Sequence, residues 1–169
     1  GEGIEYEADG RHRVELLKYF GLNEKSRGLK NNGDKEDKGQ PGDEDELEPQ
    51  EVTVYRGLAA RLNFLSLDSP DLQFPSKVYA REMASPTKGS FRRLKKMVRY
   101  LIHRESVVWL YRFREEQGEA YVVTDSDWGG NSRDRKSTSG GVWYLGCHCI
   151  KTWSASQGAV ALSSAEAEL

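Results

Sequence analysis

The sequence predicts an α+β protein of mixed helices and antiparallel strands, on three observations. Apolar residues recur at helical spacing through roughly the first hundred positions, the period changes to two from about Val107, and a strongly acidic stretch interrupts the helical part. With 169 residues, the chain has room for one ordinary domain or two small ones.

Taken in order, Gly3 to Tyr6 alternates like a strand remnant. Asp9 suits the start of a helix carrying Val14, Leu17 and Phe20, with Gly21 as its stop. Residues 31–53 hold only two strongly apolar side chains, Leu47 and Val52, and Gly33 to Glu51 carries nine acids against Lys35 and Lys38. Such a segment buries too little surface to offset its ordering entropy and reads as a disordered acidic linker, with an acidic partner-binding segment as the other reading. Tyr55, Leu58, Leu62 and Leu65 then mark a helix ending at Ser69-Pro70. Asp71 suits the cap of the next helix, with Val78 and Met83 on its apolar face and Pro75 acceptable only near its start.

The helix over about Thr87 to His103 has the clearest pattern. Phe91, Leu94, Val98 and Leu101 form one stripe, and Arg92, Arg93, Lys95, Lys96 and Arg99 cover the rest. Five bases in eight residues read either as a solvated face or as a surface that tracks phosphates. Strands follow at Val107 to Phe113, Ala120 to Thr124, Gly141 to Leu145 and His148 to Ser154, with Gly146-Cys147 as a tight hairpin turn.

Composition narrows the classes. Lys and Arg total 25 against 27 acids, a net charge of −2, so a uniformly basic nucleic-acid protein is excluded. A segregated one is not, because 77–116 carries eleven bases against four acids. No apolar run approaches the ~18 residues that span a bilayer. No cleavable leader opens the chain, and the two cysteines are no disulfide scaffold, so an intracellular protein of cytoplasm or nucleus is expected rather than a secreted one. Both ends look cut: residue 1 is Gly, and 163–169 resembles the first turns of a helix.

Asp125 and Asp127 close an apolar strand before Gly129-Gly130. Residues two apart on a strand share a face, so both carboxylates suit one hard cation; an Asp-rich turn is the alternative. Glu166 and Glu168 lie about 200° apart on a helix and cannot share a site. Ser163 with Glu166 fits a capping box, which leaves Glu168 free. Arg133, Arg135 and Lys136 form a loop that is either solvated or in contact with substrate phosphate. Cys147-His148-Cys149 lacks the second ligand pair that structural zinc requires.

Several strings resemble the copia-type long-terminal-repeat retrotransposon polyprotein. They include Arg13-Val14-Glu15-Leu16-Leu17-Lys18-Tyr19-Phe20-Gly21, Tyr55-Arg56-Gly57-Leu58, Ser69-Pro70-Asp71-Leu72 and Leu94-Lys95-Lys96-Met97-Val98-Arg99-Tyr100-Leu101. The most specific are Thr124-Asp125-Ser126-Asp127-Trp128-Gly129-Gly130, Arg135-Lys136-Ser137-Thr138-Ser139-Gly140-Gly141 and Ala161-Leu162-Ser163-Ser164-Ala165-Glu166-Ala167-Glu168.

The resemblance implies four segments: the end of a reverse transcriptase over 1–30, the acidic linker over 31–53, a helical connection over 54–105, and the start of a ribonuclease H-like domain over 106–169. That domain would hold an antiparallel β-β-β sheet and the beginning of its first helix. Asp125 matches the family's first metal-site acid and Glu168 its second, while Asp127 lies nearby without being the family's ligand. The expected cofactor is a pair of Mg²⁺ ions, with Mn²⁺ as a substitute, and the expected partners are an RNA–DNA hybrid and the remainder of the Pol polyprotein, with no membrane. Two further acids and the polymerase's Tyr-x-Asp-Asp motif are absent from this sequence. The implied nuclease is therefore expected to be weak or inactive in this chain alone, and a nucleic-acid-binding remnant or an inactive relic is the alternative.

Overall fold

The computed structural model describes residues 2–32, 39–104, 106–113, 118–131 and 134–168. Two units are distinguished, a helical one over Glu7–Val108 and a strand-rich one formed by Gly1–Tyr6 with Trp109–Leu169. The mixed composition agrees with the α+β expectation.

In the helical unit, α1 spans Arg11–Tyr19, α2 Pro49–Leu65, α3 Pro70–Arg81 and α4 Lys88–Tyr100, which continues as a 3-10 turn, Leu101–His103. One core joins them. Leu16, Tyr55, Leu58, Leu62, Leu65, Leu72, Tyr79, Leu94, Met97 and Val98 are all buried in it. The segments expected as a polymerase end and a separate connection therefore share one apolar interior.

The predicted faces hold for α2 and α4 and shift for α1 and α3. On α1 the ridge is Leu16 with Leu17 and Phe20 beside it, and Val14 is 55% exposed. On α3, Leu72, Pro75, Ser76 and Tyr79 are buried instead of Val78, and Met83 packs on the core from beyond the helix end. Ser69 rather than Asp71 occupies the N-cap, with Pro70 in the first turn. Asp71 instead accepts hydrogen bonds from Tyr100 Oη (2.7 Å) and Arg104 Nη2 (2.7 Å). Pro75 lies well inside α3. It has no N–H for the carbonyl of Asp71, and Asn32 Nδ2 donates to that oxygen instead, at 3.2 Å.

The acidic stretch is not a free linker over its described part. Helix α2 begins inside it at Pro49, where the Glu51 carboxylate accepts from Glu48 N at 3.2 Å. Leu47 is buried in the core, and Glu46 bridges Thr87. The earlier part of the expected linker, 33–38, lies outside the described residues.

Strand β1, Gly3–Glu7, pairs with β2, Val108–Arg112. Three further strands, β3 (Ala120–Ser126), β4 (Thr138–Leu145) and β5 (His148–Ser156), form an antiparallel sheet in that order. Each runs longer than the apolar alternation marks, because polar residues continue the ladder: Asp125 pairs Gly140 and Ser126 pairs Ser139. The β4–β5 hairpin turns at Gly146, whose φ of 58° suits glycine. A short helix α5, Ser164–Ala167, follows. Val122 and Val123 point to opposite faces of β3 yet are 56% and 55% exposed. Both faces of that strand thus expose apolar side chains.

Leu16→Ala is expected to cost about 2–5 kcal/mol and Val14→Ala less than about 0.5 kcal/mol. Urea unfolding of the two variants checks the assigned face of α1.

Candidate functional site

Alternation places Asp125 with Tyr121 and Val123 on one face of β3, and register sets Gly140 opposite it. No β4 side chain therefore stands directly opposite the carboxylate. Asp125 is exposed, and its Oδ1 accepts from the next backbone N–H, Ser126, at 3.0 Å. Glu168 is the C-cap residue of α5 and is also exposed. Gln157, just after β5, positions this helix by donating to Ala167 O at 2.5 Å and to Ser139 Oγ at 2.9 Å. Trp128 Nε1 donates to Ala161 O at 3.0 Å. No hydrogen bond or ion pair joins Asp125 to Glu168, and among the described residues no three His, Cys, Asp or Glu side chains converge as a metal site.

Asp127 has a different job from its neighbour. Its Oδ1 accepts from Thr138 N at 2.6 Å while its own N–H donates to Thr138 O at 3.0 Å, which clamps the end of β3 to the start of β4. Ser137, fully buried, accepts from Gly129 N at 3.0 Å, and its carbonyl accepts from Gln157 N at 2.9 Å. Ser126 and Ser139 meet across the strands at 3.1 Å. Opposite Trp153, a Cβ on Gly141 would collide with the indole ring. The sequence pattern marks these strings without revealing that Ser137, Ser139 and Gln157 are the polar frame behind Asp125. Only contacts separated by up to 18 residues expose that role.

The loop cations are partly structural. Arg135 adopts a left-handed φ of 57° and donates its N–H to Asn131 O at 2.8 Å. Lys136 N donates to Asp134 Oδ1 at 3.0 Å. The side chains of Arg135 and Lys136 remain at least partly accessible, whereas Arg133 lies outside the described residues. Glu166 caps as expected in part: Ser163 Oγ accepts from Glu166 N at 3.2 Å, but the Glu166 carboxylate takes Leu162 N (2.7 Å) instead of the N-cap amide. Cys147 Sγ lies 3.8 Å from His148 Nδ1 at the hairpin, and burial pushes the Cys149 thiol pKa up.

The basic helix α4 is largely occupied by its own protein. Arg92 forms a two-pronged pair with Asp43, from Nε at 3.1 Å and Nη2 at 2.7 Å. Arg93 Nη2 reaches Glu82 Oε1 at 2.6 Å, and Glu82 also accepts from the buried Tyr55 hydroxyl at 3.3 Å. Burial and the Glu82 charge raise the pKa of Tyr55. Arg99 Nε donates to Arg27 O at 3.0 Å, and Lys95 sits 5.9 Å from the Phe20 ring centroid. Lys95 is exposed, while Lys96 and Arg99 are half-buried. An open cavity of about 1020 Å³ near the start of α1 is lined by Arg11, Arg13 and Arg61, but these too are engaged: Arg11 by Asp9, Arg13 by the carbonyls of Leu101 and Ile102, and Arg61 by His12.

Over 117 residues, the chain is 35% identical to the Retrovirus-related Pol polyprotein from transposon RE2 of Arabidopsis thaliana, a match covering 69% of this chain and 8% of that protein. The RE1 polyprotein of the same plant is 34% identical with the same coverage. These likenesses agree with the resemblance read from the motif strings: the chain is similar to a fragment of a copia-type retrotransposon Pol polyprotein. The Uncharacterized mitochondrial protein AtMg00810, also of Arabidopsis thaliana, is 32% identical over 68% of this chain and 47% of its own length. The chain thus spans under half of one relative and a small part of the two Pol polyproteins. No family model and no solved structure matches it.

The hydrogen bonds from Arg92 hold the Asp43 carboxyl below the usual aspartate range. A depressed folded-state pKa means that the pair stabilises the fold above the unfolded aspartate value and loses that contribution as pH falls through the lowered one. Arg92→Gln is expected to move the Asp43 midpoint upward in a carboxyl NMR titration.

Ser137→Ala removes the buried partner of Gly129 N–H and is expected to cost about 1–3 kcal/mol in thermal unfolding.

Proposed function

We propose that this chain is the part of a retrotransposon Pol polyprotein that leads from the end of the reverse transcriptase into a ribonuclease H-like domain. The intact protein would combine RNA-directed DNA synthesis with hydrolysis of the RNA strand of RNA–DNA hybrids, in an intracellular setting. One observation carries this reading: three consecutive antiparallel strands followed by a helix, with Asp125 near the end of the first strand and Glu168 just past the helix. Uncovered apolar side chains on both faces of β3 suit a strand that other elements would enclose in the intact domain.

The two carboxylates have the oxygen chemistry that Mg²⁺ prefers. They do not make a two-metal site by themselves, since no third acid joins them among the described residues. The role assigned to this chain is therefore to hold Asp125 open beside Gly140 and to present Glu168 from a helix tethered through Gln157. Asp127 acts as the positioning residue that locks the strand end.

A second reading concerns α4. Lys95, Lys96 and Arg99 keep accessible surface along one stretch of helix, which suits sequence-independent contact with nucleic-acid phosphates. Arg92 and Arg93 contribute less than the sequence pattern implies, because Asp43 and Glu82 engage them.

The isolated 169-residue chain is expected to show no Mg²⁺-dependent cleavage of a labelled hybrid. Replacing the matching segment of a full-length Pol relative with residues 106–169 is expected to retain cleavage, with a loss of at least about 10³-fold in Asp125→Asn. A folded chimera whose cleavage is indifferent to Asp125→Asn and Glu168→Gln overturns the nuclease assignment. For α4, Lys95→Gln with Lys96→Gln is expected to lower the salt slope of hybrid binding by about 2. An unchanged slope removes the second reading.

A further inference from the structure

We infer that the acidic segment 39–47 is an internal competitor for the nucleic-acid phosphates that α4 would otherwise take at its N-terminal end. The inference rests on the α4 binding reading given above and extends it by assigning that surface its own regulator.

The first turn and a half of α4 carries Lys88 and Arg92, and both hold carboxylates from this one segment. Arg92 engages Asp43 through two nitrogens, in the forked geometry that guanidinium also uses toward a phosphodiester. Lys88 Nζ meets Asp45 Oδ2 at 3.0 Å. Two backbone amides at the same helix start are also taken by the segment: Gly89 N donates to Asp43 O at 2.9 Å and Lys88 N to Asp45 O at 3.0 Å. The close approach is possible because residue 89 has no side chain; a Cβ there would overlap Asp43. The segment therefore occupies the cations and helix-end amides that an anionic ligand would use.

The two contacts differ in depth. The Arg92–Asp43 side chains are 27% and 13% exposed, whereas Lys88 and Asp45 are each 58% exposed. The outer pair lies in water, where salt and a polyanion compete readily; the inner pair is the firmer closure. Leu47 anchors the segment in the core immediately afterwards, so an opened segment stays tethered beside the helix at high local concentration.

The test uses the full 169-residue chain and a fluorescent 20-base-pair RNA–DNA hybrid, read by anisotropy over a salt series. Asp43→Asn with Asp45→Asn is expected to bind about tenfold tighter than wild type at low salt, with a slope of log affinity against log salt steeper by about 2, one for each freed cation. Adding Lys88→Gln and Arg92→Gln is expected to erase the gain. Asp45→Asn alone, which changes only the exposed pair, is expected to give a gain of roughly threefold and keeps the test valid if the double variant loses its helical circular dichroism. Glu44→Gln with Glu46→Gln changes the net charge equally without touching either pair, and an equal gain there overturns the competitor role. Binding unchanged in the Asp43/Asp45 variants, while Lys95→Gln with Lys96→Gln still weakens it, also overturns the competitor role and leaves the α4 reading intact. No binding by wild type or by any variant overturns both.

Discussion

Helix α4 places six cations within 13 residues and yet buries Leu94, Met97 and Val98 completely. A helix so charged can sit against a core only if the charges nearest that core find partners when water leaves them. Acids from different parts of the chain meet this demand. Asp43 comes from the segment before α2, and Glu82 from the end of α3. Asp71, at the start of α3, serves Arg104 just beyond the 3-10 turn. Each pair also fixes the position of the element that supplies the acid. The hydroxyl of Tyr55 on α2 joins Glu82 and the Tyr79 carbonyl, so the same polar cluster ties three helices together. Charge compensation around α4 thus organises the helical unit, and it turns an acidic stretch expected to be free into a packed ledge.

The strand-rich unit is held differently. Its buried residues are few and small, with Ser137, Thr138, Ala161 and Ala167 among them. Order near Asp125 comes from hydrogen bonds between backbone and short polar side chains. Asp127 clamps Thr138, Ser137 holds Gly129, and Gln157 reaches both Ser139 and the helix end. A frame of this kind gives geometric definition without a large apolar interior, and it leaves the carboxylate of Asp125 unencumbered. The apolar faces of β3 and β4 stay exposed at Tyr121, Val122, Val123 and Trp143. That combination of a defined polar end and uncovered apolar faces is why the assigned role is part of a larger domain's site.

Secondary structure was legible wherever one periodicity dominated. Tyr55, Leu58, Leu62 and Leu65 announce α2, and the stripe of α4 is equally plain. Hairpin chemistry at Gly146 was legible too, because the required φ has a residue signature. Reading failed where local composition was overridden by distant partners. Nothing in residues 39–53 indicates that Arg92, some fifty positions later, neutralises Asp43. On α3, Pro75 looks disruptive until Asn32 supplies the missing donor. The buried faces of α1 and α3 also depend on which neighbours they meet, which spacing alone leaves open.

By itself, then, the sequence determined the order of helices and strands, the turn residues, and the acids and bases available for chemistry, since these follow from periodicity, backbone preference and residue type. Its motif strings also sufficed to show the likeness to retrotransposon Pol polyproteins. Tertiary structure alone decided which charges remain available. It separated Asp125, left open opposite a glycine, from Asp127, used as a clamp, although the two are only two positions apart. It likewise divided α4 into cations held by the protein's own acids and cations left toward solvent. The physical reason is the same in both cases: a charged group's role is set by what desolvates or pairs it, and those partners come from elements far away along the chain.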